Sequence, residues 1–488
     1  MNKSKPEYDI AVIGAGIHGA AIAWDASLRG YSVVLINKSD IGAGASAGNY
    51  RIIHGGLRYL QHFDFLRLFE SADEQQVFRK IVPEALAPLP FLIPCYGYGM
   101  RGREILELGL TLYDILTCYR NQGVVPELRL PWHDSMSRAE VLEKLPYLEG
   151  KGLRGGIVYY DAQMLDPDRL TLSFAISASK IGCKIKNYYE LVSAEVSKDE
   201  IQRINLKNVL TGEEEHLSAN VIINAAGVWR EQVTSKLLGV SAPAQYLFSK
   251  GLQLTLPTIS SGLAVALESK FKDSESLVAK GNRSYFLQPW NGTTIAGTAD
   301  ILHTSEPDKY SLSESEIEHF LNELKEIYPD PKIARRNVLS AFGGLRPVTP
   351  AARVKHQKEA LQSYGSIEVA HRDTVIDHRT EGKSIRNLIS VEGIKYTTTR
   401  RLAERVVNLA ETFTNKTRRP CKTREQPLTY TKIPKLFGDE EIKRIIREEF
   451  VVKVEDLFER RLGFGALAKP EAAQRERIER IFLNARVK

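Results

Sequence analysis

Residues 8–36 fit one supersecondary unit and little else. Tyr8-Asp9-Ile10-Ala11-Val12-Ile13 is an apolar run of buried-strand length, and Gly14-Ala15-Gly16-Ile17-His18-Gly19 turns the chain. Residues 20–29 are small or helix-forming and stop at Gly30, and Ser32-Val33-Val34-Leu35-Ile36 reads as a second buried strand. Strand, glycine turn, helix and strand make a βαβ unit, which implies a parallel sheet with helices on its faces. In this context a G-x-G-x-x-G match carries a mechanism. Gly14 permits the tight turn, Gly16 lets backbone approach a diphosphate, and Gly19 lets the helix pack on the strand. Ile17 and His18 lie at the helix N-terminus, where free N–H groups and the helix dipole favour an anion. Such units commonly close the second strand with an acid that holds a ribose; here the strand ends in Asn37-Lys38. The Asn37 amide is expected to bond a ribose hydroxyl without the strength of a carboxylate.

At about 150 residues per domain, 488 residues predict two to three domains. With 43% hydrophobic and 26% charged residues, disorder is excluded. A Gly/Ala-rich loop (42–48, with Ser46) is followed by a mostly helical region to about residue 119. Helix and strand signals alternate over residues 156–229, ending in Val221-Ile222-Ile223-Asn224-Ala225-Ala226-Gly227. Short β runs punctuated by Pro and Gly over residues 241–300 predict a separate, largely antiparallel sheet. A helix is expected at 313–327, a strand at 387–391 before Gly393, and a helix at about 399–414. Residues 418–434, with three prolines and many charges, read as a linker to a small C-terminal helical module.

Lys and Arg number 67 against 60 Asp and Glu, a net +7. That suits an acidic ligand or anionic surface and does not point to nucleic acid. The four cysteines form no C-x-x-C pair, which predicts a reducing, cytoplasmic setting and no metal. The start of the chain has no signal-peptide pattern, and no stretch reaches the roughly 20 apolar residues of a spanning helix, so any membrane contact is expected to be peripheral. Arg101 and Arg103 flank Ile105, Leu106, Leu108, Leu110, Leu112, Ile115 and Leu116. This pattern suits a helix lying on a membrane or one packed inside the domain, and internal packing is the expectation adopted.

Beyond the first unit, Arg51-Ile52-Ile53-His54-Gly55-Gly56-Leu57-Arg58-Tyr59-Leu60 with the glycine turn resembles the FAD-dependent glycerol-3-phosphate dehydrogenases. Further segments keep that family's order: Tyr159-Tyr160-Asp161 with Asp166-Pro167-Asp168-Arg169-Leu170, then Asn224-Ala225-Ala226-Gly227-Val228-Trp229, then Gly297-Thr298-Ala299-Asp300. Gly344-Leu345-Arg346-Pro347, Arg372-Asp373 and Lys395-Tyr396-Thr397-Thr398 follow. The resemblance covers about residues 8–412, with an echo at Val454-Glu455-Asp456-Leu457 and Arg460-Arg461. It implies an α/β fold: a discontinuous Rossmann-like FAD-binding domain, a β-rich substrate domain and the small C-terminal helical module. The oxidoreductase would span 1–417, with FAD-binding parts at about 1–90, 150–235 and 340–417 and substrate parts at about 91–149 and 236–339. The implied reaction oxidises sn-glycerol 3-phosphate, or a close phosphorylated analogue, to dihydroxyacetone phosphate by hydride transfer to flavin N5, with quinone or oxygen as acceptor. A homodimer is among the assemblies left open.

The resemblance places His54, Arg58, Arg346, Arg372 and Lys395 at the reacting end. Around the flavin it implies Gly14, Gly16, Ile17, His18, Gly19, Asn37, Lys38, Ser46, His54, Gly55 and Gly56. It adds Ala226, Gly227, Trp229, Gly393, Lys395, Tyr396, Thr397 and Thr398. Arg suits phosphate because its planar fork makes short charge-assisted bonds, and a neutral His54 could accept an alcohol proton. Thr397 and Thr398, ahead of a helix, would direct its dipole at the flavin. Four departures stand out: Lys250-Gly251-Leu252-Gln253 where the family has a histidine, no acid over 348–353, Gly393-Ile394-Lys395 for G-G-K, and a short C-terminal module. An amine or amino-acid oxidoreductase and a flavin-binding protein without turnover therefore remain as alternatives.

Overall fold

A computed structural model describes residues 5–99, 102–243, 245–260, 262–272, 282–349, 370–380, 385–414, 416, 419–431, 438–465 and 470–486. β1 (Tyr8–Ile13), α1 (Ile17–Leu28) and β2 (Val33–Asn37) form where the sequence predicts them. β1 is central in a six-stranded sheet ordered Thr374–Asp377, Leu388–Glu392, Ala219–Asn224, β1, β2, Lys184–Asn187. All neighbours are parallel except the outermost pair, Thr374–Asp377 with Leu388–Glu392. Parallel strands end together, so Gly14, Asn37, Ala225 and Gly393 meet at one edge of the sheet. A crevice there, outside the carboxyl ends of the strands, is where open α/β sheets bind ligands. α1 is apolar and buried on nearly every side, because the Pro167–Lys180 and Thr399–Glu411 helices flank it.

The second sheet has ten strands: eight in the order Ser340–Phe342, Phe248–Pro257, Thr293–His303, Asn282–Trp290, Ala264–Lys272, Leu86–Tyr96, Leu153–Met164, Ile52–Ile53, with Leu345–Pro347 also on Phe248–Pro257 and Asp134–Ser137 also on Leu153–Met164. It draws strands from Ile52–Ile53, part of Leu86–Tyr96, Leu153–Met164 and Leu345–Pro347, stretches that the sequence assigns to the FAD-binding half. The expected helical region is likewise interrupted by Leu86–Tyr96. Its Pro88, Pro90 and Pro94 share one parity, so their missing N–H groups all belong to the same side of the strand. The strand pairs along its length with Leu153–Met164 but meets Ala264–Lys272 only at Phe91 and Leu92. Proline is tolerated where one side of a strand needs few donors.

Ser313 caps the Glu314–Ile327 helix through a reciprocal capping box. The Asp439–Glu448 and Ala472–Arg486 helices enclose a small core of Ile442, Ile445, Leu457, Phe458, Ile478 and Phe482. The expected boundary at 417/418 lies outside the described residues, but residues 419–431 are strapped down. Arg424 pairs with Asp73 at 2.6 Å, and the Leu428 N–H reaches Ile81 O at 2.8 Å.

On the Arg103–Leu116 helix Leu110 and Tyr113 are buried, whereas Leu108 and Ile115 are 68% and 55% exposed. The expectation of a helix packed inside the domain therefore holds for one face only. Arg101 lies outside the described residues. Among those residues no helix is long and apolar enough to cross a membrane.

Candidate active site

The edge shared by the parallel strands opens into a cavity of about 1000 Å³, at the upper end of the size of ligand pockets. It runs from Gly14, Gly16, Ile17 and His18, past Asn37, Lys38 and Ser46, to His54, Gln253, Arg346 and Lys395. Ala226, Gly227, Trp229, Gly393, Tyr396 and Thr397 also line it. Gly19, Gly55, Gly56, Thr398, Arg58 and Arg372 do not.

The turn is built for a ligand held by backbone. Gly14 has φ +106°, and a Cβ there would lie 2.6 Å from Ala225 O. A Cβ on Gly19 would meet Gly14 O at 1.7 Å, so Gly19 is required for packing although it does not reach the cavity. Ser46 Oγ accepts the Ile17 N–H at 2.9 Å and stands at the cavity wall. Asn37 behaves differently from the expectation. Its Oδ1 accepts the Ala15 N–H at 3.0 Å, while Nδ2 donates to Ser39 O at 3.0 Å and Asp40 O at 2.9 Å. The amide is committed to the protein itself. Lys38 forms a 2.5 Å ion pair with Asp308, which also accepts the Trp229 indole N–H at 2.9 Å.

At the other end, burial first and the Lys395 ammonium second push His54 down to about 4, which leaves a neutral imidazole at ordinary pH. Burial pushes Lys395 down to about 8 against the opposing pull of Asp373, and its ammonium lies 4.3 Å over the Tyr59 ring. Arg346 lies beside the cavity in an ion pair with Asp300, which also accepts from Ser249 Oγ at 2.5 Å. Gln253 is 3% exposed and donates through Nε2 to Gly48 O at 3.0 Å. Its Oε1 has no partner among the described residues.

Arg58 is exposed, and Arg372, with its side chain 78% exposed, approaches Asp64 at 3.8 Å. The structure does not bring these two cations to the cavity. The residue beside Arg372 matters more locally. Asp373 accepts the Ile394 N–H at 2.7 Å and the Thr398 hydroxyl at 3.0 Å, so it braces the 394–398 loop. Thr397 Oγ1 in turn accepts the His54 N–H at 3.2 Å. Asp161 braces the same region by accepting the Gly55 N–H at 2.6 Å. A Cβ on Gly55 would lie 2.1 Å from the Tyr113 hydroxyl, so that glycine admits the neighbouring helix. Sequence reasoning placed Asp161 and Asp373 inside matched segments but gave them no part in the site. Their signal was a carboxylate inside a motif of otherwise ligand-facing residues.

The model of the FAD dependent oxidoreductase family matches residues 9–373. A glycerol-3-phosphate dehydrogenase of Synechocystis is 31% identical over 430 residues, covering 86% of this chain and 73% of the relative. The mitochondrial glycerol-3-phosphate dehydrogenase of Mus musculus is 30% identical over 446 residues, covering 86% and 55%. The chain belongs to the FAD dependent oxidoreductase family. Within it, it groups with the glycerol-3-phosphate dehydrogenases, although it spans only about 55% of the mouse protein.

Two solved structures are similar in fold. The glycerol-3-phosphate dehydrogenase from Bacillus halodurans complexed with FAD gives a TM-score of 0.62 at 22% identity, covering 87% of this chain and 68% of the other. The L-alpha-glycerophosphate oxidase from Mycoplasma pneumoniae with FAD bound gives 0.57 at 16%, covering 87% and 99%. As an FAD-dependent dehydrogenase, the chain has a cavity that fits its cofactor. A Cβ at Gly16 would come within 3.0 Å of Ser46 Oγ at the cavity wall, and the N-terminus of α1 beside it is the kind of site, by backbone and dipole, that a diphosphate needs. At the far end the unpartnered Gln253 Oε1 shows a polar wall shaped for more than protein contacts.

Proposed function

We propose that this enzyme oxidises sn-glycerol 3-phosphate, or a close phosphorylated analogue, to dihydroxyacetone phosphate. The observation that carries the reading is that two cations, Arg346 and Lys395, and a neutral His54 line the same cavity as the glycine turn. FAD, when bound, supplies the acceptor for the hydride leaving the alcohol carbon. Arg346 and Lys395 bind the substrate phosphate, which as a dianion calls for more than one cation. An imidazole nitrogen of His54 takes the hydroxyl proton; its lowered pKa leaves it unprotonated before reaction. Asp300 orients Arg346, and Thr397 holds the backbone of His54.

The exposed stripe of Ile105, Leu108, Leu112 and Ile115, with Phe63 and Leu66 76% and 85% exposed, supports peripheral seating on the inner face of a membrane. A quinone would then be the electron acceptor. Anaerobic addition of candidate substrates to the yellow protein tests the reading. Glycerol 3-phosphate is expected to bleach the flavin. Bleaching by an amine or amino acid instead would assign the enzyme to that chemistry, and no bleaching by either would point to a flavin-binding protein without turnover. Rapid peroxide formation and no cosedimentation with anionic vesicles at low salt would make oxygen the acceptor.

A further inference from the structure

The C-terminal module is joined to the cofactor half by charges removed from water. Arg461 donates through both Nη atoms to the two Asp40 oxygens at 2.7 Å, and Arg460 Nε donates to Asp40 Oδ2 at 2.5 Å. The Asp40 and Arg461 side chains are both 0% exposed. Burial would raise the Asp40 carboxyl, but the two guanidinium groups overcome it and hold the pKa below its ordinary value. Two further contacts seat the module. Arg169 pairs with Glu449 at 2.5 Å, and the Tyr188 hydroxyl donates to Asp456 at 2.5 Å.

Asp40 belongs to the loop that grips the glycine turn. Its carbonyl accepts from Asn37 Nδ2 at 2.9 Å, and Asn37 Oδ1 accepts the Ala15 N–H at 3.0 Å. On the other side of the same residue, the Gly42 N–H donates to Ala15 O at 2.9 Å. Ala15, between the first two glycines of the turn, is therefore held at both its N–H and its C=O by residues 37–42. This arrangement also gives a reason for an amide at position 37. Only an amide both accepts from Ala15 and donates to Ser39 O and Asp40 O; a carboxylate would set its charge against those two carbonyl oxygens.

We propose that the C-terminal module is a cofactor-retention clamp, in which Arg460 and Arg461 fix Asp40 and thereby hold the diphosphate-binding turn in shape through Asn37 and Ala15. Asn37, Asp40 and Arg461 are positioning residues. They shape the backbone that meets the ADP half of FAD and do not touch the substrate. The inference rests on FAD occupying this turn, as the proposed function also does.

Binding of FAD, and separately of ADP, to the flavin-stripped protein tests it. Arg461→Lys loses the two-pronged bond but keeps the charge. It is expected to weaken both ligands by at least about tenfold, on the scale of one lost charge-assisted hydrogen bond. Substrate KM and kcat at saturating FAD should stay within about twofold. Asn37→Asp discriminates further. If Asn37 were merely a weak ribose ligand, the acid would tighten FAD; the clamp requires it to weaken FAD and ADP alike. Tighter binding by Asn37→Asp, or unchanged ADP affinity in folded Arg461→Lys, overturns the proposal.

A measurement on the unaltered protein serves if the variants do not fold. Coupling is reciprocal, so FAD or ADP must slow amide exchange in residues 449–462 as well as in the turn. Normal FAD uptake without that protection overturns the clamp alone. A protein that takes up no FAD overturns the clamp and the proposed function together.

Discussion

The two ends of the cavity are built by opposite means. At the glycine turn the ligand surface is backbone, shaped by missing side chains: Gly14 at φ +106°, and Gly19 with no room for a Cβ. At the reacting end the surface is side chains from four distant segments, His54, Gln253, Arg346 and Lys395. Burial lowers the pKa of His54 and of Lys395, Arg346 is paired with Asp300, and Gln253 is held by Gly48 O. The first kind of site tolerates almost no substitution at its glycines and needs no tuned charge. The second keeps its fold when a residue is changed and loses function in graded steps. Breaking each end in turn should therefore give effects of different kinds.

The largest effect belongs to Gly19→Val. Its Cβ would overlap Gly14 O, a backbone atom that cannot swing aside. Flavin content of the purified protein is expected to fall to background, with expression of folded protein sharply reduced. Gly16→Val meets only Ser46 Oγ at 3.0 Å, so this variant should fold and yet lose FAD. If Gly16→Val retained full flavin occupancy, the turn would not be the diphosphate site.

This difference also sets what a sequence can disclose. The βαβ unit was legible because its glycines, strand and helix are contiguous and each follows from local sterics. The helix expected at 313–327, which the structure places at Glu314–Ile327, was legible for the same reason. Arg346 and Lys395 were found only through resemblance, since nothing local distinguishes them from solvated surface cations. The same resemblance offered Arg58 and Arg372, which the structure leaves exposed. Asn37 reads from sequence as a ribose ligand, whereas the partners it has in the structure, Ala15, Ser39 and Asp40, are fixed by the path of the loop and not by its composition. The strand at Leu86–Tyr96 was missed because three prolines argue against an ordinary strand, and the sparse pairing on one side of it appears only in the assembled sheet.

At the reacting end the largest graded loss is expected for Arg346→Ala. Truncating one partner of a charge pair commonly costs about 2–5 kcal/mol, and here it also exposes the substrate phosphate to Asp300. kcat/KM for the true substrate should drop roughly 30-fold or more with flavin content unchanged. Asp300→Asn on the Arg346→Ala background should restore part of that loss by removing the repulsion, and a double-mutant cycle measures it. If flavin were lost along with activity, Arg346 would belong to cofactor binding or folding.

Lys395 should show itself through pH. Its pKa is pushed down to about 8, so its charge is present below that value and fades above it. Binding of an anionic substrate is expected to weaken as pH rises from 7 to 9.5, by up to about tenfold per unit above the pKa. Lys395→Arg keeps its charge throughout and should flatten this alkaline limb, even if KM is higher overall. The His54 imidazole, held at about 4, should contribute no limb between pH 5 and 9. A KM that is flat to pH 9.5 in the unaltered enzyme would remove Lys395 from phosphate binding.

The smallest effect is expected at Gln253, where the relatives suggested by the sequence carry histidine. Gln253 Nε2 donates to Gly48 O at 3.0 Å, and a Cβ on Gly297 would lie 2.9 Å from Gln253 Cγ, so the side chain is held by its stem and by one bond. A histidine in the neutral form can also donate from one ring nitrogen to Gly48 O and present the other as an acceptor, as Oε1 does now. Gln253→His should therefore change kcat/KM by less than about fivefold at pH 8, where an ordinary imidazole is neutral. The difference should appear on acidification. The glutamine enzyme has no titrating group at this position, whereas an imidazole there, buried as Gln253 is and so held below its ordinary value, would gain charge only on stronger acidification and then bind an anionic substrate more tightly. If Gln253→His lost 100-fold or more at pH 8, the amide would be a direct and exacting substrate contact. The reacting end would then resemble the glycine turn in its intolerance.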